Sequence, residues 1–576
     1  MGKRLRWLCA ALAAALLGWA LVGCQDDGGD MPQTRADAWR FLTQATFGPD
    51  EASVARVMSI GYTAWIDEQF DQSPTFTYQA FMRQRDAEIK AASPGSTVAK
   101  AGPDQVIEAF YTRALTDPAQ LRARLSFALS EIFVVSLNET LFFAYPGMVA
   151  GYMDTLDGAL NGSYRSLLEA VTKSPAMGQY LTYRSNPKSY PAIGLEPDEN
   201  YAREVMQLFS IGLYMLNPDG SLILDGAGQP IPTYGDADVK GLAKVFTGWS
   251  LNRGAAYAGV SQSDCFSFLD DCRDPDAFYW PMVAYADYHD TGEKSFLGTV
   301  ISQQGTPDAQ ASLTAALDRL ASHPNTAPFF CKQLIQRLVT SNPSPDYVAR
   351  VANRFLESGG SLKETVKAIL LDQEARAPSS QTSLTLGKLR EPILRVTAIL
   401  RAMGFTASNW VVSGSTPYVT LGQTSDPATS LGQTPLYAPS VFNFFRPGYV
   451  PAHSQAAAQG LVAPEMQLVS ETSVTGYVNS VIALLDTGLG NGIQVKLDDA
   501  VQVADDPEQL IQFVADRLEG GVLPETLHMV MRATLDAMPV PSGDGSAADA
   551  VLAARRNRVR AAILLVAASP EFLVAR

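Results

Sequence analysis

The sequence predicts a mainly α-helical protein, a large multi-helix globular unit with a small β-hairpin and long ordered loops. Residues that start and end helices recur at short intervals from Ala36 onward. The 576 residues are 47% hydrophobic and 18% charged, a composition that supports a large buried core. No repeat of fixed period is present, so we do not expect a solenoid.

The expected helices are defined first by their end residues. Gly48 ends the first helix and Asp50 begins the second. An Asp117-Pro118 pair predicts an N-cap followed by a first-turn proline, and Thr306-Pro307 and Ser344-Pro345 repeat that pattern. These signals predict that helix follows helix along most of the chain.

Further along, a helix is expected from about residue 388 to the residue before Gly404, and an amphipathic helix over 547–568. Three parts are not helical. Residues 221–234 predict a β-hairpin with a glycine-containing turn. Residues 251–300 and 405–450 are rich in turn-forming residues, and we expect them to fold over the helices as ordered loops.

The first 23 residues are predicted to be a lipoprotein signal peptide. Lys3, Arg4 and Arg6 precede an apolar run, and the small residue Gly23 precedes Cys24. Processing at this point would leave Cys24 as the lipid-modified first residue of the mature chain. A retained transmembrane helix is the competing interpretation, which the short apolar run disfavours.

The leader also sets the expected domain organisation and location. Residues 24–35 are predicted to be a polar tether, and residues 36–576 a single large α-helical domain with any lobe boundary near 300–305. Gln25 permits sorting to the outer membrane in many Gram-negative bacteria. We therefore expect an exported protein, lipid-anchored in the cell envelope and facing the periplasm or the cell surface. The net charge of −15 argues against a nucleic-acid partner.

Two of the cysteines beyond the leader are expected to pair. Cys265 and Cys272 lie seven positions apart in a polar loop, which suits a local disulfide in an oxidising compartment. Cys331 follows Phe329 and Phe330 on a predicted helix, where a buried and inert thiol is expected.

The stretch from Pro197 to Phe209 predicts a helix with an unusually polar face. When successive residues are placed about 100° apart around the helix axis, the face opposite the polar one is apolar. The polar face carries two glutamates, an arginine and two amides: Glu199, Asn200, Arg203, Glu204 and Gln207. An exposed, salt-bridged surface is one interpretation of that face, and a polar cleft is the other.

A second predicted helix begins at Asp236 and places Asp238 among its apolar residues. A carboxylate that points toward the core needs a cation or several N–H donors. We predict that Asp238 pairs with Arg203 of the preceding helix, with Glu199 or Glu204 as the second partner of the arginine.

Other polar residues are candidates for the same cleft. His289 lies beside Asp290, where it is either a base or ligand, or part of a structural turn. Lys388, Arg390 and Glu391 precede a helix, and Arg446 ends an aromatic loop. These residues either join a polar cleft or neutralise carboxylates. No spacing among the four histidines resembles a zinc motif, so no metal and no cofactor are predicted.

Several long motifs resemble those of one bacterial family. They are RFLTQATFGPD (40–50), PDENYAREVMQLFSIG (197–212), YGDADVKGLAKVFTGWSL (234–251), YHDTGEKSFLG (288–298), HPNTAPFFCKQLIQRLV (323–339) and the C-terminal SPEFLVAR. With them the chain resembles the family called domain of unknown function 1800 over nearly all of its mature length. The resemblance implies a large, mainly helical envelope protein without an established activity. It also implies a partner, because members are often encoded beside a second exported family, domain of unknown function 1501.

Two functions are consistent with this sequence. The first is a binding or assembly lipoprotein of the cell envelope that works with an exported partner protein. The alternative is a hydrolase that acts on an envelope or extracellular polymer through a cleft of carboxylates, histidine and arginine. Its predicted catalytic candidates are Glu199, Asn200, Arg203, Glu204, Asp238 and His289.

Overall fold

The computed structural model of the protein describes residues 29–255, 259–267, 274, 276–377, 387–408, 417–541 and 548–576. Within these ranges the chain is mainly helical, and its short strands form antiparallel pairs. Most of the buried apolar side chains form one continuous core that extends from Ala38 to Phe572. The predicted fold class is confirmed. The predicted signal peptide and Cys24 lie outside the described residues.

The helices of the first third of the chain contribute to the core. In order they are α1 Arg35–Ala45, α2 Glu51–Ile60, α3 Tyr62–Asp71, α4 Tyr78–Ala92, α5 Pro103–Thr116, α6 Gln120–Ile132, α7 Thr140–Ala144, α8 Gly147–Ala159, α9 Tyr164–Thr172 and α10 Pro175–Tyr180. Every residue of α6 is buried, so this helix runs through the interior.

The remaining helices complete the core. They are α11 Asn200–Glu204, α12 Asp236–Val245, α13 Gln262–Ser267, α14 Ala309–Ala321, α15 Thr326–Leu338, α16 Pro345–Glu357, α17 Leu362–Leu370, α18 Gln373–Arg376, α19 Pro392–Met403, α20 Gln455–Ala458, α21 Glu471–Leu485, α22 Asp498–Gln502, α23 Pro507–Leu518, α24 Glu525–Asp536, α25 Ala548–Ala567 and α26 Pro570–Leu573. The predicted helix over 547–568 is therefore confirmed as α25, and the helix that ends before Gly404 as α19.

Short strands join distant parts of the chain. They are β1 Trp249–Ser250, β2 Val283–Ala284, β3 Lys294–Phe296, β4 Thr299–Ile301, β5 Lys388–Leu389, β6 Phe405–Thr406, β7 Gln494–Val495 and β8 Val574–Ala575. The pairs are β1 with β2, β3 with β4, β5 with β8 and β6 with β7. The β5–β8 pair holds the C-terminus against the start of α19.

A three-stranded arm, residues 213–233, follows the predicted polar helix. The N–H of Met215 donates to the carbonyl of Ile231 at 2.8 Å, that of Ile223 to Met215 at 2.8 Å, and that of Ile231 to Ile223 at 3.1 Å. Each strand therefore pairs with both others, and the arm closes on itself. The predicted hairpin, 221–234, supplies two of its strands, and the residues just before it supply the third.

Two of the predicted helix starts are wrong. Asp117 does not cap α6; its carboxylate accepts hydrogen bonds from the Ala119 N–H at 3.0 Å and from Arg113 Nε at 2.9 Å. The buried arginine competes for the carboxylate, and the helix begins three residues after Asp117. At Thr306-Pro307 the cap is instead Asp308, which accepts the Ala311 N–H. Caps were predicted correctly at Asp50 and Ser344.

The described end of the predicted tether is fastened to the domain. The Asp30 carbonyl accepts the Tyr62 N–H at 2.9 Å, and Asp30 Oδ1 accepts the Thr63 N–H at 3.0 Å. Thr34 caps α1. None of the helices in the described ranges combines the length and the apolar character that crossing a membrane requires.

Candidate functional site

The predicted polar helix is present, but it changes type along its length. It begins as α11 and continues as a π-helix over Val205–Ser210. Its apolar face is buried as predicted, with Tyr201 and Phe209 almost wholly inaccessible. Gly212 follows the end of this helix and has φ +71°. It lies so close to the Phe329 ring that a Cβ at this position would clash with the ring. A π-helical turn inside a helix is often found beside functional sites.

The predicted pair between Arg203 and Asp238 is wrong. Arg203 Nη2 lies 3.4 Å from Glu199 Oε2, within its own helix and on a half-exposed surface. Asp238 accepts the Gly235 N–H at 2.9 Å and the Leu297 N–H at 2.7 Å. Two backbone donors, one at the start of α12 and one in the turn between β3 and β4, stabilise the carboxylate without a cation.

His289 is a structural residue in this fold. Its ring is fully buried, with Nδ1 2.9 Å from the Thr247 carbonyl and Nε2 3.2 Å from Ser312 Oγ. Burial lowers the pKa of His289, so the neutral imidazole is favoured. Asp290 holds the following turn by accepting the Gly292 N–H at 2.7 Å. The structural alternative for this histidine is therefore the one that the geometry supports.

Of the other predicted candidates, Asn200 has a local partner, whereas Glu204 Oε2 accepts no hydrogen bond from a described group. Asn200 Nδ2 donates to Thr182 Oγ1 at 3.3 Å. Glu204 is mostly buried, and burial raises the pKa of its carboxyl. None of the six predicted catalytic residues lines either of the two cavities that form the groove described below. The structure therefore does not bring the six predicted residues together around that groove.

The cysteine predictions have different outcomes. Cys331 is fully buried, and burial raises the pKa of its thiol, which confirms an inert residue. Cys265 is a free and buried thiol, and Cys272 lies outside the described residues. The structure does not show the expected disulfide, which stays a prediction.

A cavity of about 930 Å³ opens between the arm, α15 and the loop before α21. Its wall combines Leu216 and Leu222 from the arm, Phe329 from α15, Pro345 from α16 and Leu461 from the loop. The wall is predominantly apolar, as is usual for sites that bind organic ligands.

A second cavity of about 530 Å³ continues the first. The two have five wall residues in common: Leu213, Phe329, Gln333, Pro447 and Gly448. We call the two together the groove. The second cavity extends inward to the end of α6, where Glu131 and Ile132 form part of its wall, and to Arg337 on α15.

The arm exposes large apolar side chains beside the groove. Leu213, Tyr214, Leu222 and Leu224 are 48%, 43%, 47% and 53% exposed. Single exposed apolar residues are common, but four on one small arm at the edge of an apolar cavity indicate a contact surface.

Two buried carboxyl groups influence each other behind the second cavity. The negative charge of Glu391 raises the pKa of Glu131. Asn443 Nδ2 donates to Glu131 Oε1 at 3.0 Å, and Gln433 Nε2 donates to Glu391 Oε2 at 2.7 Å. The remaining oxygens, Glu131 Oε2 and Glu391 Oε1, receive no N–H or hydroxyl donor from a described group. Two buried carboxyls that influence each other do not both ionise readily, which favours a proton on one of them.

The surroundings of the pair decide which carboxyl holds the proton. Burial raises the pKa of Glu131, and the negative charge of Glu391 raises it further. Burial opposes ionisation of Glu391 too, but the positive charges of Lys388, Arg124 and Arg337 lower its pKa. Glu391 also immediately precedes α19, whose N-terminus favours negative charge. The proton therefore resides mainly on Glu131.

A shell of buried cations surrounds the pair. Lys388 Nζ lies 2.9 Å from Glu465 Oε1 and donates to the Arg337 carbonyl at 2.8 Å. Arg124 Nη2 donates to the same carbonyl at 2.6 Å. Arg337 Nη2 donates to the backbone carbonyl of Glu131 at 3.3 Å. The cations compensate the buried carboxylates and fix the end of α6 relative to α15.

Sequence reasoning found part of this cluster. Lys388, Arg390 and Glu391 are predicted to join a polar cleft or to neutralise carboxylates, and the structure places Lys388 and Glu391 in the cluster. Arg390 is buried with its guanidinium over the Phe572 ring. Arg446 was grouped with them; it lines the second cavity, with its guanidinium over the Phe442 ring. Glu131 was missed. Its signal was available, because it is an acidic residue inside the strongly apolar run FALSEIFVV.

Asn443 reaches Glu131 from the predicted covering loop. The residue has φ +61°, a backbone conformation that asparagine tolerates better than most residues. The loop is anchored nearby, since Ser136 Oγ donates to the Ala438 carbonyl and the Leu137 N–H donates to the Leu436 carbonyl, both at 2.7 Å. A strained residue that orients a buried carboxyl is typical of a functional site.

In the part of the chain that the structure describes, no group of three histidine, cysteine or acidic side chains could hold a metal ion. The fold and the site define a large helical protein with an apolar groove of two adjoining cavities, whose wall includes the buried Glu131. The chain belongs to the family described as Protein of unknown function (DUF1800), whose family model matches residues 40–574. No curated protein and no solved structure matches it.

Proposed function

We propose that this protein is a binding component of the cell envelope, exported and lipid-anchored through Cys24, that holds an extended polypeptide segment of an exported partner in its groove. The observation that carries the proposal is the groove itself: two adjoining apolar cavities of about 930 and 530 Å³ with five wall residues in common. Two adjoining cavities of this size have room for a chain-like ligand.

The chemistry of the groove favours a polypeptide over other chain-like ligands. The protein has a net charge of −15, which repels polyanions. Alternate apolar side chains of an extended peptide would fill apolar walls such as those of Leu216, Leu222 and Phe329. A protein of the domain of unknown function 1501 family is the candidate partner that the family resemblance suggests.

The experiment uses the chain from residue 25 and a fluorescein-labelled synthetic peptide that alternates leucine with threonine and ends in lysines. We call it the probe peptide. Fluorescence anisotropy measures its affinity for the wild type and for Leu213→Asp and Leu222→Asp. Each substitution places a charge on the apolar wall and should weaken binding at least about tenfold.

Leu356→Asp is the matched control. Leu356 is 62% exposed on α16 and does not line the groove, so this variant should bind the probe peptide like the wild type. Absence of binding by the wild type, or equal affinities in all four proteins, would contradict the proposal. The hydrolase alternative at the six predicted residues receives no support from a common cavity.

A further inference from the structure

The charged side chains in the wall of the groove are mainly cations. Lys332 lies in the wall of the first cavity, and Arg337 and Arg446 lie in the wall of the second. The acidic residues of the same walls are Glu374 in the first cavity and Glu131 in the second. This cationic wall contrasts with the net charge of −15 that the whole chain carries.

The two acidic residues of the wall do not neutralise these cations. Glu374 Oε1 accepts the Ser344 N–H at 3.0 Å, and Glu374 Oε2 accepts the Ser344 hydroxyl at 2.5 Å, so both of its oxygens already have donors. Glu131 is fully buried, and burial raises the pKa of its carboxyl, which favours the neutral form. The wall of the groove therefore keeps a net positive charge.

Lys332 is a half-buried cation whose ammonium group forms no salt bridge or hydrogen bond with a described residue. Its stem packs against the arm, where a Cβ on Gly220 would lie 3.4 Å from Lys332 Cδ. Burial lowers the pKa of the ammonium group, an effect that the charge of Asp219 offsets only in part. A partly desolvated ammonium group of this kind is stabilised by an incoming carboxylate.

Arg446 supplies a second cation with donors to spare, in the wall of the second cavity. Its side chain is exposed, and its guanidinium lies over the Phe442 ring, 4.6 Å from the centroid. Its contact with Gln467 is made by the backbone N–H, and no described acidic side chain forms a salt bridge with it. Stacking on the ring orients the planar guanidinium and leaves its N–H groups for the carboxylate of a ligand.

We propose that the groove selects a segment with two acidic side chains among apolar ones, in which one carboxylate pairs with Lys332 and the other with Arg446. This inference rests on the proposed binding function and names the class of segment that is bound. Because the two cations line different cavities, the two carboxylates belong to separate positions of the segment. The apolar side chains fill the walls, and the charged pairs fix the register and direction of the segment.

Three peptides test this selection by fluorescence anisotropy. The probe peptide is compared with an acidic form, in which aspartate replaces two of its threonines, and with an amide form, in which asparagine replaces the same two. All three end in the same lysines. The acidic form should bind the wild type at least about tenfold more tightly than the amide form, and added salt should reduce that preference.

The sign of the preference is itself informative. A chain with a net charge of −15 repels added negative charge in general, so the overall charge predicts weaker binding of the acidic form. Tighter binding of the acidic form therefore reports the local cations of the groove and not the charge of the whole protein.

Two variants assign the preference to the two cations. Lys332→Met and Arg446→Met each remove one positive charge and keep an unbranched stem. Each should lower the preference for the acidic form by about threefold and leave the affinity for the amide form unchanged, which shows that the groove is still folded. Lys240→Met is the matched control, since Lys240 is exposed on α12 and does not line the groove. It loses the same charge and should keep the full preference.

The outcomes separate this inference from the binding function. If the probe peptide binds but the acidic form binds no more tightly than the amide form, the selection is overturned and the binding function remains. A preference that is unchanged in both Lys332→Met and Arg446→Met also overturns the selection. If none of the three peptides binds the wild type, both proposals are overturned.

Discussion

At the scale of single residues, Asp238 and Arg203 have separate partners. Asp238→Ala removes the acceptor of two backbone N–H groups and should lower the free energy of unfolding by about 1–3 kcal/mol. Arg203→Ala removes a half-exposed pair with Glu199 and should cost less than about 1 kcal/mol. Urea denaturation measures both.

The double variant provides the control for this prediction. Because the two side chains have no common contact, their effects should add within about 0.5 kcal/mol. A larger coupling energy would show that the two side chains interact after all.

His323 gives the expected pH dependence. Its Nδ1 accepts the Asn325 N–H at 3.2 Å, and burial, with a smaller effect from Arg319, lowers its pKa to about 4. The unfolded chain binds a proton near pH 6.5, so it holds more protons than the folded chain between pH 6.5 and 4. Stability should therefore fall as the pH falls through that window, by up to about 3 kcal/mol from this residue.

Comparison with His323→Asn isolates that contribution. Asparagine keeps an acceptor for the Asn325 N–H and does not titrate. Denaturant unfolding at pH 7 and pH 4 should show a smaller loss in the variant than in the wild type. Equal losses of stability in the variant and the wild type would contradict the assignment of this pH dependence to His323.

Residue-level prediction succeeded where the partner is close in sequence and failed where it is distant. Asp50 and Ser344 cap helices through N–H groups three residues away, which the sequence displays directly. Asp238 is satisfied by Leu297, in a turn that no local pattern connects to it. The Glu131–Glu391 pair joins residues on α6 and before α19, and only the packing of those helices reveals it.

At the scale of elements, α12 lies unusually close to β3. A Cβ on Gly241 would lie 1.7 Å from the Ser295 carbonyl oxygen, so α12 cannot approach β3 with any side chain there. Gly241→Ala should destabilise the protein by about 3 kcal/mol or more, measured by thermal or chemical denaturation.

Gly158→Ala is the opposite case and the control. Gly158 lies within α8 with open space around its Cβ position. Alanine loses less backbone entropy on folding, so stability should rise by about 0.5–1 kcal/mol. If Gly158→Ala lowered the stability of the protein as much as Gly241→Ala, the close approach of α12 and β3 would be contradicted.

Helices and strands are also predicted well only where their signals are local in the sequence. Caps and glycines located α19 and α25 well, because helix signals are local. The arm was only partly predicted, because its first strand, around Met215, pairs with residues around Ile231 that are distant in the sequence. The π-helical continuation of α11 leaves no local signal, because its residues are ordinary helix formers.

At the scale of the whole molecule, the leader predicts lipid attachment. Cys24→Ala should abolish incorporation of an alkyne fatty acid and release the protein from the membrane fraction. Metabolic labelling followed by fractionation measures both. Equal labelling of the variant and the wild type would contradict the assignment of Cys24.

The central claim is that the groove binds an extended polypeptide segment, and hydrogen–deuterium exchange tests it most directly. The chain from residue 25 is compared with and without saturating probe peptide. The account predicts slower exchange in 213–225, 329–345 and 441–462, the segments that contribute most of the groove wall. Protection confined to other segments, such as 199–204 or 471–485, or no protection at all, would contradict it.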